Sequence, residues 1–253
     1  MESDPNYRKR LLSLPEKERQ ALLDGDWDIY DGMFFREFKR DIHVIEEPFE
    51  IPDNWNIYVS LDYGLDMFAP LFVAIDPQYN AYAIDEIHES NLLISEAAKK
   101  LRHHELFKRA KRIFAPPDLW NRRQDTGKSA YDIFAENGVR LTKCSSDRVN
   151  GWLAVKEWIK PIETKDEQTG KIIKTAKLRI FSKCKNLIRC LPQLQHDDKN
   201  TNDVATEPHE LTHITDALRY FCVSKTLPGQ NEQKRPVKQY NKSKDFGERI
   251  KPI

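Results

Sequence analysis

Three groups of residues in this chain have types and spacings that can do chemistry. The first is His209-Glu210-Leu211-Thr212-His213, an HExxH pattern. Two histidines one helical turn apart can share a zinc ion, with Glu210 as the general base of a peptidase. The pattern is short and arises often by chance, and a zinc peptidase also needs a third ligand, usually further along the chain. No histidine follows His213, which leaves Asp216 for that place. The second group, Thr126-Gly127-Lys128-Ser129, matches half of a phosphate loop, but Arg122 stands where the first glycine belongs. It reads instead as a helix start capped by Thr126 or Ser129, so the chain carries no ATPase site of its own. The third group is the set of separated carboxylates Asp62, Asp118 and Asp216. Taken singly, Asp62 can open a turn with Gly64, Asp118 can cap a helix after Pro116-Pro117, and Asp216 can face water. On a helical wheel Leu211, Ile214, Leu218 and Phe221 form an apolar face, with His209, His213, Asp216 and Tyr220 roughly opposite. The wheel alone does not separate an active-site stripe from a solvated one.

The elements that must position these residues follow from hydrophobic periodicity and turn signals. Asn56 to Asp62 reads as a buried strand ending in a carboxylate and a Tyr63-Gly64 turn. Phe68 to Ile75 and Ala81 to Ile87 are two more strands joined by a turn at Pro77-Gln78-Tyr79-Asn80. Leu93 to Ala110 has helical spacing, and Arg112 to Ala115 is a fourth strand stopped by Pro116-Pro117. Ser129 to Glu136 is a helix closed by Asn137-Gly138, feeding a short strand over Val139 to Thr142. Trp152 to Ile159 is a helix, Lys160 to Ile180 a hairpin turning at Asp166 to Gly170, and Asn186 to Gln195 and His209 to Val223 are two final helices. Successive strands pair antiparallel, and strands separated by a helix pair parallel through right-handed crossovers. The expected fold is therefore α/β, with a mixed sheet of three antiparallel then two parallel strands, helices on both faces and a β-hairpin insertion.

That topology makes the first and fourth strands parallel neighbours, with their carboxyl ends side by side where ligands bind such sheets. Asp62 and Asp118 are thereby brought together. Like charges at that spacing invite divalent cations, and a third carboxylate from a covering helix completes a two-metal nuclease geometry.

The ordered set of GDWDIYDGMFF, Val59-Ser60-Leu61-Asp62-Tyr63-Gly64, Phe114-Ala115-Pro116-Pro117-Asp118-Leu119-Trp120-Asn121 and His213-Ile214-Thr215-Asp216-Ala217-Leu218-Arg219-Tyr220 spans nearly the whole chain. In this it resembles the C-terminal nuclease domain of tailed-bacteriophage terminase large subunits, an RNase H-like fold. The resemblance implies an endonuclease that cuts concatemeric double-stranded DNA during packaging. It implies that Asp62, Asp118 and Asp216 hold two Mg²⁺ or Mn²⁺ ions. It places His213 beside the metals, where it orients a water or contacts phosphate. By the same resemblance the portal protein and the small terminase subunit are partners, and an ATPase motor precedes this domain in the full protein. A hairpin at the position of residues 162–173 restricts access to the site in relatives, which implies weak cleavage by an isolated, monomeric domain. Relatives place an acid directly after the strand, whereas here Pro116-Pro117 intervenes before Asp118; Asp125 and Asp132 are the other acids nearby, and Asp66 and Asp203 are spare carboxylates.

The organisation expected is a linker arm over residues 1–41, a nuclease domain over 42–224 and a basic, flexible tail over 225–253. Apolar residues make up 39% of the 253, with 32% charged, and 41 Lys+Arg nearly cancel 40 Asp+Glu. Twelve Phe, nine Tyr and five Trp are too many for a disordered chain. Acids dominate from Asp24 to Asp66 and bases from Lys99 to Arg123, so the latter run and the hairpin are candidate contacts to a DNA backbone. No stretch approaches the roughly 18 apolar residues of a membrane helix, and MESDPNYRKRLL lacks the apolar region of a signal peptide. Cys144, Cys184, Cys190 and Cys222 include no CxxC pair. The expectation is a protein of the reducing host cytoplasm with no membrane association. Two other functions compete: the zinc peptidase of His209, Glu210 and His213, and a non-catalytic DNA- or portal-docking module on the same fold.

Overall fold

The computed structural model describes residues 32–64, 66–124, 126–165 and 169–227. Residues 1–31 of the expected arm (1–41), residues 228–253 of the expected tail (225–253), residues 166–168, Leu65 and Asp125 lie outside the described residues. Nine strands are found among the described residues: β1 (Val44–Ile45), β2 (Asn56–Tyr63), β3 (Phe68–Ile75), β4 (Ala81–Glu86), β5 (Ala110–Ala115), β6 (Thr142–Lys143), β7 (Pro161–Lys165), β8 (Ile172–Ala176) and β9 (Leu178–Phe181). The α-helices are α1 (Arg40–His43), α2 (Ile94–His103), α3 (Ala130–Glu136), α4 (Arg148–Ile159), α5 (Lys185–Cys190) and α6 (Thr212–Ser224). No described helix is long and apolar enough to cross a membrane.

Seven strands form one sheet in the order β1-β9-β4-β3-β2-β5-β6. Strands β2, β3 and β4 are antiparallel, and β5 and β6 add in parallel beyond β2, as the sequence predicts. The other flank differs from that expectation. The hairpin is confined to β7 and β8, and the chain then re-enters the main sheet as β9, parallel to β4, with β1 parallel to β9 outside it. The driving force is burial: Leu178 and Ile180 are fully covered, whereas Ile172 and Ile173 of the hairpin stand exposed. Two residues of β1 carry too little pattern to be read as a strand.

Every residue of β3 is buried, so both faces of the sheet are covered. Alternation along β2 sorts its side chains. Ile57, Val59 and Leu61 pack with Ala97, Leu101 and Phe134 of α2 and α3. Tyr58 packs in the other core, with Trp152 and Trp158 of α4 and Leu218 and Phe221 of α6. Period two therefore puts Ser60 and Asp62 on the α4–α6 side. Residues 32–38, inside the segment read as arm, supply Phe34, Phe35 and Phe38 to that second core.

Local signals account for several boundaries. Ser129 caps α3 in a reciprocal pair with Asp132. Gly138 at φ 81° closes it, with Gly138 N–H donating to Ala135 and Val139 N–H to Phe134, a Schellman arrangement. The predicted helix over Leu93 to Ala110 stops instead at His103, and a 3-10 turn, Glu105–Arg109, follows. His104, extended at φ −67° and ψ 135°, stacks on Phe72 with ring centroids 3.9 Å apart. Tertiary stacking there overrides helix propensity.

Candidate metal centre

The parallel pairing of β2 with β5 sets the carboxyl ends of the two strands side by side. Asp62 lies at the end of β2, and Asp118 in the 3-10 turn Pro117–Trp120 just after β5. Helix α6 crosses β2 and β3 on the Asp62 side and carries His213 and Asp216. From Thr212 to Cys222 every residue of α6 is buried. Of the polar face of the helical wheel, His213, Asp216 and Tyr220 thus turn inward onto the end of β2, while His209, in the turn before the helix, stays exposed.

Asp62 feels the charges of both other acids, although the three do not bring their ligand atoms within 4.8 Å of one another. Burial pushes the Asp62 carboxyl above its ordinary 3.8; a hydrogen bond to His213 opposes this, and the charges of Asp216 and, more weakly, Asp118 lift it further. His213 Nδ1 lies 2.9 Å from Asp62 Oδ2. Burial works to lower the His213 pKa, but the bond to Asp62 and the charges of Asp62 and Asp66 outweigh it and hold it above 6.5. Asp118 itself is exposed. His88 also faces this region: burial, Arg189 and His213 bring its pKa down to about 4, and its Nε2 has no hydrogen-bond partner.

Sequence reasoning missed the residues that hold Asp216. Its Oδ1 accepts from Arg219 Nε at 2.7 Å, and Arg148 Nη1 stands 3.7 Å away. Arg219 is 2% exposed and lies over the rings of Trp152 and Tyr220. It fits because α4 presents Gly151 there: a Cβ would come within 2.7 Å of Arg219 Cγ. Arg219 Nη1 is left without a hydrogen-bond partner where the guanidinium packs against Gly151. Asp203, a spare carboxylate in the sequence, instead accepts from Arg148 Nε at 3.2 Å and Trp152 Nε1 at 2.9 Å. Arg219 sits one turn after Asp216, a spacing visible in the sequence; the Gly151 packing is not.

A second cluster meets the first at His213. Asp66 Oδ2 lies 3.1 Å from His213 Nε2 and 3.1 Å from His209 Nδ1. Among the described residues, these three side chains are the His, Cys, Asp or Glu group whose ligand atoms all come within 4.8 Å of one another. The two histidines of the HExxH pattern therefore do converge, but with Asp66, from the other side of the Gly64 turn, as third partner. Asp216, the third ligand available to the peptidase reading, is occupied by Arg219. The donor chemistry of the whole region, carboxylates plus imidazoles, suits divalent cations.

The basic run divides by position. Lys100 pairs with Glu89, Arg102 donates to the Asn137 carbonyl, and Arg109 to that of Pro52. Lys111 and Arg112 lie at the start of β5, away from Asp62. Lys143, at the end of β6 and in register with Ala115, stands over the ring of Trp120 beside the Asp118 turn.

Solved structures share this architecture. The large terminase of a thermophilic bacteriophage, in complex with ADP, superposes with a TM-score of 0.59 at 19% identity, over 86% of this chain and 54% of that one. The complex of the same terminase with ATP-gamma-S gives 0.59 at 20%, over 86% and 54%. The P22 large terminase nuclease domain gives 0.55 at 14%, over 74% of this chain and 89% of that one. The chain thus spans about half the length of the thermophilic-phage terminase it matches, and its fold is that of a terminase nuclease domain. No protein-family model matches the chain, and no curated protein matches it by sequence.

Proposed function

We propose that the chain is a metal-dependent endonuclease domain of a viral DNA-packaging terminase, which cuts concatemeric double-stranded DNA in the host cytoplasm. The observation that carries this reading is Asp62: a partly buried carboxylate at the end of a central strand, burdened by the like charges of Asp216 and Asp118, in a fold shared with the P22 nuclease domain. A desolvated carboxylate beside like charges costs free energy that a bound cation offsets.

Asp62, Asp118 and Asp216 would hold two divalent ions, Mg²⁺ or Mn²⁺. When bound, such a pair lowers the pKa of an attacking water and stabilises the leaving 3′ oxygen. The chain's own groups then orient the carboxylates: His213 bonds Asp62, and Arg219, supported by Arg148, fixes Asp216. Arg219 is buried against α4, so its part is to hold Asp216 and not to meet the substrate. Lys143 and the exposed bases of the β7–β8 hairpin would touch the DNA backbone, giving salt-sensitive, sequence-independent binding. In this reading the residues before the sheet connect to an ATPase motor, and the portal and small subunit meet surfaces of the assembled terminase.

Asp62→Ala and Asp216→Ala should abolish Mn²⁺-dependent plasmid nicking while circular dichroism stays that of the wild type. Undiminished nicking by both variants rejects the assignment. The convergence of His209 and His213 favours one competitor, the zinc peptidase; it requires zinc-dependent peptide hydrolysis that Glu210→Gln destroys.

A further inference from the structure

We propose that Asp66, His209 and His213 form a separate site for a borderline transition-metal ion of the Zn²⁺ type, and that His213 couples its occupancy to Asp62. The donor set differs in kind from the carboxylates beside it. Two imidazole nitrogens and one carboxylate oxygen favour Zn²⁺, Co²⁺ or Ni²⁺ over Mg²⁺, which prefers oxygen and keeps its waters. The spacing fits: bonds of about 2.0 Å in a tetrahedral site put ligand atoms about 3.3 Å apart, and both histidine nitrogens lie 3.1 Å from Asp66 Oδ2.

Local structure builds this arrangement. The 3-10 turn His209–Leu211 runs into α6, which brings the rings of His209 and His213 to a 4.5 Å separation at 72°. Asp66 reaches them by folding back over Gly64, where any Cβ would overlap Asp66 Oδ1. The turn is closed by Gly64 N–H donating to the Met67 carbonyl. His213 is almost wholly buried, while His209 and Asp66 are more than half exposed, so an ion can enter from solvent and leave a coordination position open.

The coupling runs through the imidazole ring. An ion on His213 Nε2 requires the tautomer with its proton on Nδ1, which then donates to Asp62 Oδ2, a carboxylate–histidine–metal relay. That oxygen is drawn toward His213, and a second positive centre stands next to the carboxylate cluster. Occupancy should therefore weaken Mn²⁺ binding at Asp62, Asp118 and Asp216 by about tenfold, and by linkage Mn²⁺ should weaken the transition metal equally. The site itself is independent of the nuclease assignment; its effect on cleavage rests on that reading.

The test is a Co²⁺ titration of the metal-free chain followed by visible absorption. The wild type should show ligand-field bands of imidazole-bound Co²⁺. His209→Ala, which removes an exposed ring and should keep the wild-type circular dichroism, should bind Co²⁺ at least tenfold more weakly. Asp118→Asn should keep the bands. Equal Co²⁺ affinity in the wild type and His209→Ala overturns the site, whether or not the chain cuts DNA. One equivalent of Zn²⁺ should then raise the Mn²⁺ concentration needed for half-maximal nicking in the wild type and not in His209→Ala. An unchanged Mn²⁺ requirement in the wild type overturns the coupling.

Discussion

Two carboxylates end parallel strands at the same edge of the sheet and meet opposite fates. Asp62 closes β2 and Glu86 closes β4. Burial pushes both above the ordinary carboxylate range. Glu86 is then satisfied: Asn186 N–H at 2.6 Å, Asn186 Nδ2 at 2.9 Å and Leu187 N–H at 3.0 Å all donate to it, so it caps the start of α5. Asp62 receives one histidine and the charges of two further acids. A buried acid surrounded by donors is a structural joint. A partly buried acid that faces two like charges is relieved by a cation, and on the proposed reading that relief is the function.

Exchanging the roles of the two acids gives the largest expected effect. Asp62→Ala should bring nicking to background with little change in melting temperature. Glu86→Ala should leave three donors unsatisfied and cost about 2–4 kcal/mol of unfolding free energy, read from urea denaturation, with cleavage per folded molecule retained. If Glu86→Ala instead kills cleavage in fully folded protein, the division between joint and site is wrong.

Next in size is the response to Mn²⁺. A saturating ion at about 100 times its Kd stabilises by about 2.7 kcal/mol, so the melting temperature of the wild type should rise. Glu86→Gln should show the same rise and Asp62→Asn none. A smaller effect belongs to Gly151→Ala, whose methyl must displace Arg219. It should cost about 1–3 kcal/mol by overpacking and slow nicking roughly tenfold by disturbing the arginine that orients Asp216. Unchanged nicking would remove Arg219 from the positioning role.

The smallest effect lies beside Glu86. Burial works to lift Asp85, but bonds from His104 and Lys183 outweigh it and hold the carboxyl below 3.8. A depressed carboxylate stabilises the fold above its unfolded pKa, and that contribution vanishes as pH falls through the folded value. Asp85→Asn should therefore be less stable than the wild type by about 1 kcal/mol at neutral pH, with the gap closing in acid below 3.8. A gap independent of pH would assign the loss to packing instead.

Much of this molecule is legible in one dimension. Strand order follows from hydrophobic runs, turn residues and the handedness of crossovers, and period two along Ile57 to Asp62 is enough to place Asp62 on one face. What periodicity cannot supply is the identity of the opposing surface. The stripe His209, His213, Asp216 and Tyr220 is readable as a stripe, but only packing turns its last three members toward β2 and leaves His209 to water. Likewise no pattern announces that Asp66 meets two histidines more than a hundred residues away, that Gly151 clears space for Arg219, or that β9 inserts beside β4. Those relations join residues distant in sequence, and each is selected by shape and burial once the elements have docked. The local chemistry was written in the chain, and its convergence was decided by the tertiary fold.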